Sequence, residues 1–216
     1  MDDWPICFRQ WDHMEMNISG CLIAGGKSRR MGQDKRFLLL EGTALIDRAM
    51  RVLETLFEEV IVVLAEPIPG WTGGRHRVVY DAIEKCGSLG GLYTGLVQAA
   101  SPRIFAVACD MPFLNIEVIR YLIRADPDAD IIGAKLRAGL QPMHAVYSKR
   151  CASVLEQMAK SGNLRIQRLF DDPLLKVKII EEPELVKLDP DLRSFRNINT
   201  PGEYRAAQAC PSQHRH

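Results

Sequence analysis

A chain of 216 residues with 47% hydrophobic and 25% charged side chains has the composition of a globular protein with a sizeable core, and its length suits one domain or one domain with a small appendage. A net charge of +1 spreads no basic field over the surface, which disfavours nucleic acid or a membrane surface as partner. No apolar run approaches the roughly 18 residues that a membrane span needs.

Residues 1–17 show neither strand nor helix period and lack the apolar core of a secretory signal. They read as a disordered extension, or as residues upstream of a start at Met14 or Met16. From Ile18 to Ala24 the chain is apolar and leads into a Gly-rich loop. Ala44–Phe57 carries apolar residues at Leu45, Ile46, Ala49, Val52, Leu53 and Leu56, the period of an amphipathic helix. Val60–Ala65 is a continuous apolar run of strand length, as a parallel strand buried on both faces requires. Arg77–Tyr80 predicts a third strand, ending at Asp81, and Gly91–Ala100 a helix that opens with glycines. Arg103–Cys109 predicts a fourth strand ending at Asp110. Asn115 caps a helix through Arg124, and Asp130–Lys135 makes a fifth strand. Met143–Ser148 and Leu175–Glu181 read as strands, Lys149–Lys160 and Leu164–Asp171 as helices. Thr200 and Pro201 open a last helix to Ala209, and residues 210–216 read as a disordered tail.

Strands alternating with helices predict a three-layer, Rossmann-like α/β fold: a mostly parallel sheet flanked by helices, one domain over residues 18–209. Ligands of such sheets bind beyond the carboxyl ends of the strands. The three most polar, Gly-rich stretches follow Ala24, Tyr80 and Cys109, each a predicted strand end. The six cysteines (Cys7, Cys21, Cys86, Cys109, Cys151, Cys210) form no C-x-x-C pair and read as reduced thiols of a cytoplasmic protein.

The densest segment runs Ile23-Ala24-Gly25-Gly26-Lys27-Ser28-Arg29-Arg30-Met31-Gly32-Gln33-Asp34-Lys35. Glycines let a backbone approach phosphate and aim successive N–H groups at it, while Lys and Arg neutralise its charge. Gly26-Lys27-Ser28 imitates the end of a P-loop, but the first glycine of that motif would fall on Cys21, inside the strand. Asp110, between a buried strand and a Met-Pro turn, reads either as a Mg²⁺ ligand or as a turn aspartate. Asp81 reads as a contact to nucleotide, metal or a loop cation, or as a strand-ending residue. His144 is a core or rim group, or a substrate contact. Lys160, Arg165 and Arg168 are a solvated helical face, or a pocket for an anionic ligand.

The segment resembles L-A-G-G-x-S-x-R-M-G-x-D-K, the opening of the molybdenum cofactor guanylyltransferases and their nucleotidyltransferase relatives, with Ile23 for the leading Leu. Gly87-Ser88-Leu89-Gly90-Gly91-Leu92 is similar to that family's G-P-L-x-G loop, with Ser88 for Pro. Cys109-Asp110-Met111-Pro112 matches its C-D-M-P segment. Gln141–Tyr147 looks like its P-L-H-A-V-Y strand, and Asn197-Ile198-Asn199-Thr200-Pro201 like its closing N-I-N-T-P. The resemblance runs from Ile18 to Ala207. A polar Asn that some members carry at the end of the second strand is replaced by Val63-Leu64-Ala65.

The resemblance implies transfer of GMP from GTP to the phosphate of molybdopterin or the molybdenum cofactor, with Mg²⁺ as cofactor and a molybdoenzyme or its chaperone as further partner. It implies nucleotide contacts at Ile23, Ala24, Gly25, Gly26, Lys35, Asp81, Leu89, Gly90 and Asp110, with Lys35, Arg30 and Asp110 catalytic and the metal on Asp110. It implies acceptor contacts at His144 and Asn199. The N-terminal half would hold nucleotide and the C-terminal half acceptor. Gly87–Gly91 is expected to read the base as a loop. The alternatives are cytidylyl transfer to the same cofactor, a different phosphate acceptor, and a non-catalytic GTP-binding carrier.

Overall fold

The computed structural model describes residues 17–25 and 34–209. The expectations for the N-terminal extension and the tail, and those for Gly26 and Arg30, fall on residues outside this set.

Strand β1 (Ile18–Ile23) is followed by a 3₁₀ turn at Lys35–Phe37 and a two-rung hairpin of β2 (Leu39–Leu40) and β3 (Thr43–Ala44). Then come helix α1 (Leu45–Glu54), β4 (Val60–Leu64), β5 (Arg77–Tyr80), α2 (Gly87–Gln98) and β6 (Arg103–Ala108). The second half holds α3 (Ile116–Arg124), β7 (Ile131–Leu136), β8 (Gly139–Ser148), α4 (Cys151–Lys160), β9 (Val177–Glu181), α5 (Glu182–Leu185) and α6 (Pro201–Ala209). Among the described residues, seven strands form one sheet in the order β5-β4-β1-β6-β8-β7-β9. All neighbours are parallel except β8, which runs antiparallel to both β6 and β7.

The continuous apolar runs of β1, β4 and β6 are explained by cover on both faces. Alternate residues feed two cores: Leu22, Val62, Phe105 and Val107 pack with α1 and α3, whereas Cys21, Ile61, Val63 and Ile104 pack with α2 and α4. Two glycines set how closely α2 approaches the sheet. A Cβ on Gly91 would lie 2.8 Å from Ile23 Cγ2, and one on Gly95 would lie 2.4 Å from Cys21 Sγ. Four residues apart, they form one bare stripe facing β1.

Three expectations are corrected. α2 begins at Gly87, four residues before the expected Gly91, so the segment expected as a base-reading loop is the first turn of a helix. The helix expected at Leu164–Asp171 is a 3₁₀ segment, Ile166–Asp171. The strand expected at Met143 starts at Gly139. It accommodates Pro142 because the β7–β8 register shifts between Gly133 and Lys135, where a missing N–H costs no ladder bond. Asn115 caps α3 as the sequence predicts, accepting from the Glu117 and Val118 amides at 2.8 and 3.3 Å. Among the described residues, no helix is long and apolar enough to cross a membrane.

Candidate active site

The chain runs outward from β1 to β4 and β5, then returns to the other side of β1 as β6. The connections that leave the paired ends of β1 and β6 therefore run to opposite sides of the sheet order and leave a crevice, the place where such sheets bind ligands. A cleft of about 180 Å³ opens there, lined by Ile23, Gly25, Lys35, Asp81, Gly87, Ser88, Gly91, Asp110 and Met143 among others. Its floor is fixed by strand-end amides: Cys109 N–H donates to Ile23 O at 3.1 Å, Ala24 N–H to Val63 O at 2.8 Å, and Asp81 N–H to Leu64 O at 2.9 Å.

Lys35 lies at the centre of the charge arrangement. Its Nζ donates to Asp110 Oδ2 at 2.6 Å and to Asn199 Oδ1 at 3.0 Å. Residues 75 and 164 positions away in the chain thus meet one ammonium group. The strap carrying Asn199 is held by Ile198 N–H, which donates to the Asp110 carbonyl at 2.8 Å. It is held again by a capping box on α6: Glu203 Oε2 accepts from the Asn199 and Thr200 amides, and Thr200 Oγ1 accepts from Glu203 N–H.

Two buried carboxylate oxygens, Asp110 Oδ1 and Asp81 Oδ1, have no hydrogen-bond partner among the described residues. Burial pushes the Asp81 carboxyl up to about 6. A carboxyl raised in this way favours the fold at low pH, and that contribution is lost as pH rises through about 6. At neutral pH, Asp81 is therefore an acceptor waiting for a donor. A Mg²⁺ ion commonly takes only one or two carboxylates and completes its shell with water and phosphate. The free Oδ1 of Asp110 fits that role. Among the described residues no cluster of three His, Cys, Asp or Glu forms a ready-made metal cage, so substrate oxygens would supply the remaining ligands.

The nucleotide contacts expected on α2 are corrected by one helical face. Gly87, Ser88 and Gly91 line the cleft. Leu89 turns into the core at 1% exposure, and Gly90 lies over the Ile83 carbonyl. Ala24 is buried and Gly25 takes its place at the cleft.

The acceptor role expected of His144 is corrected too. The ring is fully buried on β8, with Phe105 at 5.2 Å and Phe195 at 4.6 Å between centroids. It reaches no surface, and burial pushes its pKa down to about 3, against weaker opposing effects of Asp189 and the Ser194 backbone. The ring is the core group of the alternative reading, packed against Phe105 and Phe195.

The three cations of the second half separate. Lys160 pairs with Glu156 at 2.7 Å along α4, a solvated face. Arg165 and Arg168 line a wider groove of about 470 Å³ with Leu140, Gln167 and Asp171. That groove is the larger of the two, but the buried, unpartnered carboxylates and the shared lysine are in the smaller cleft. No thiolate is available there: burial pushes the Cys109 thiol up to about 12.

Arg36 was not legible as a site residue in the sequence, where it reads as one more cation of a basic stretch. Its Nη1 donates to the Ala24 carbonyl at 2.9 Å, and Nε donates to both oxygens of Asp34 at 2.8 and 3.0 Å. Burial works to raise the Asp34 carboxyl, but its bonds to Arg36 outweigh this and hold it below its usual range.

Residues 20–177 match the model of the MobA-like NTP transferase domain. The chain is 35% identical over 195 residues to a molybdenum cofactor guanylyltransferase of Desulfosudis oleivorans, covering 89% of this chain and 95% of the relative. It is 34% identical over 200 residues to a probable molybdenum cofactor guanylyltransferase of Pelotomaculum thermopropionicum, covering 93% and 96%. In fold it is similar to the crystal structure of molybdopterin-guanine dinucleotide biosynthesis protein A from Archaeoglobus fulgidus, with a TM-score of 0.75 at 24% identity over 88% of this chain and 97% of that one. With a sheet that switches direction at β1, a lysine-bridged aspartate at the switch and a family match over most of its length, this chain belongs to the MobA-like NTP transferase family and is a nucleotidyltransferase.

Proposed function

We propose that this nucleotidyltransferase moves GMP from GTP to the phosphate of molybdopterin. The observation that carries the reading is the Lys35 ammonium held between Asp110 and Asn199 at the end of β6, with the second Asp110 oxygen free. An oxygen of the acceptor phosphate attacks the α-phosphorus of GTP, a new P–O bond forms, the bond to the bridging α–β oxygen breaks, and pyrophosphate leaves. A phosphate monoester is mostly ionised near neutral pH, so the attack needs no protein base. The buried His144 and the protonated Cys109 agree with a site that provides none.

Catalysis is then positioning and charge stabilisation. Gly25 lines the cleft and leaves no room for a side chain, since a Cβ would meet Ala65 N at 3.3 Å, so its bare backbone is the group offered to the phosphates. Lys35 meets the charge that grows on the pyrophosphate side, joined in our reading by Arg30. Asp110 would hold Mg²⁺, which when bound supplies Lewis-acid stabilisation of the phosphate oxygens. Asn199, held by Lys35, would contact the acceptor.

The base reading follows from Asp81 and α2. The first-turn amides of a helix have no internal acceptors, so Gly87 and Ser88, which line the cleft, offer N–H groups to a guanine carbonyl. The Asp81 carboxylate offers the complementary acceptor for guanine N–H groups. Cytosine would leave part of this arrangement unpaired, a mismatch worth up to roughly 10⁴-fold discrimination. Turnover with each of the four nucleoside triphosphates, with and without molybdopterin, tests the reading. Pyrophosphate release only with GTP and molybdopterin supports it. Comparable turnover with CTP makes the chain a cytidylyltransferase, and turnover only with another phosphate acceptor replaces molybdopterin. GTP binding with no turnover under any condition makes it a carrier.

A further inference from the structure

Arg36 lies outside the chemistry described above, yet its contacts couple two residues that line the cleft. Ala24, whose carbonyl accepts from Nη1, directly precedes Gly25. Asp34, whose carboxylate accepts from Nε and Nη2 and whose Oδ1 also accepts from the Arg36 amide, directly precedes Lys35. The guanidinium therefore joins the end of β1 to the start of the 3₁₀ turn, across twelve residues of chain. Only 12% of its side chain is exposed.

We propose that Arg36 is a positioning residue for nucleotidyl transfer: a clasp that fixes the Gly25 backbone relative to the Lys35 ammonium. Its planar fork is what the position requires. One edge of the guanidinium, Nε and Nη2, is held by a carboxylate, while Nη1 on the far side of the same plane donates to a carbonyl. A lysine presents a single point charge and cannot hold both in that geometry. With one edge of the fork held by Asp34 and Nη1 held by the Ala24 carbonyl, Arg36 serves as a positioning group rather than as a phosphate ligand. It acts on the reaction only through where it holds Gly25 and Lys35.

The inference rests on the proposed reaction for its kinetic effect but not for the clasp itself, and the test separates the two. Wild type, Arg36→Ala and Arg36→Lys are compared in thermal melting, in GTP turnover with molybdopterin, and in amide hydrogen exchange over residues 17–25 and 34–40. Displacement of a positioned group by about an ångström can cost on the order of 100-fold in rate. The expected result is a 10- to 100-fold fall in kcat for both variants, with the KM for GTP changed far less and melting nearly unchanged. Guanidinium ion, added well below denaturing concentrations, should restore part of the Arg36→Ala rate but not of the Arg36→Lys rate, where the ammonium blocks the space. Exchange near Ala24–Gly25 and Lys35 should accelerate in both variants. A raised KM with unchanged kcat would make Arg36 a substrate ligand and overturn the proposal. So would unchanged kinetics, or a fall in kcat that guanidinium does not relieve. If wild type transfers no nucleotide, the proposed reaction fails and exchange alone decides: faster exchange at both ends in Arg36→Ala supports the clasp, and unchanged exchange overturns it.

Discussion

His144 provides a test in which burial sets both sign and size. Its ring is fully enclosed and its pKa falls from 6.5 to about 3. The folded state keeps the ring neutral while the unfolded chain protonates it, so stability falls as pH drops below about 6.5 and the loss levels off near 3. At about 1.4 kcal/mol per pH unit, the full penalty is on the order of 5 kcal/mol, and roughly 3 kcal/mol of it is present at about pH 4.5. The perturbation is His144→Leu, close in volume and without a titrating group. Urea unfolding of both proteins at pH 7.5 and 4.5 gives four free energies, and their double difference cancels every carboxylate common to the two. The wild type should lose about 3 kcal/mol more than the variant on acidification. At neutral pH the variant should lose less than about 1.5 kcal/mol and keep its transfer activity, because the ring packs on Phe105 and Phe195 and reaches no surface. Parallel pH dependences would refute the buried neutral ring. Loss of turnover in a folded His144→Leu protein would restore His144 to the acceptor site.

Three further outcomes follow from the cleft. Asp110→Asn should abolish turnover with the fold intact, since it keeps the shape but removes the charge for Mg²⁺ and for Lys35; near-normal rates across a magnesium titration would remove Asp110 from the metal site. Lys35→Ala should lower kcat more than GTP affinity, by the equivalent of a few kcal/mol; a pure change in affinity would make Lys35 a ground-state clamp. GTP affinity, read by titration calorimetry, should weaken as pH falls through about 6, where the Asp81 carboxyl takes up its proton and stops accepting; Asp81→Asn should bind weakly with a flat profile, and an unchanged slope in that variant would assign the pH dependence elsewhere.

The α/β class, the flanked and mostly parallel sheet, and the strand-end positions of Gly25, Asp81 and Asp110 were legible in the chain itself. Each rests on local information: apolar runs of strand length, helical periods, and Gly-rich or acidic residues just after them. Lys35 and Asp110 were also found as residues, through a motif. Their bond, and the addition of Asn199 to it, are facts of the tertiary structure alone, because contacts spanning 75 and 164 residues leave no periodicity to read. The start of α2 was misplaced because Gly87-Ser88-Leu89-Gly90-Gly91 has the composition of a turn. Packing overrides it: three of those positions face the cleft while Leu89 anchors the core. His144 carried the residue type of a ligand, and only the two phenylalanine rings around it decide that it is core. Arg36 carried the residue type of a phosphate cation, and only the positions of Ala24 and Asp34 decide that its fork is already taken. Sequence named the chemical groups, because chemistry belongs to residue types. The fold decided which of them share a cleft, because that depends on distances set by the whole sheet.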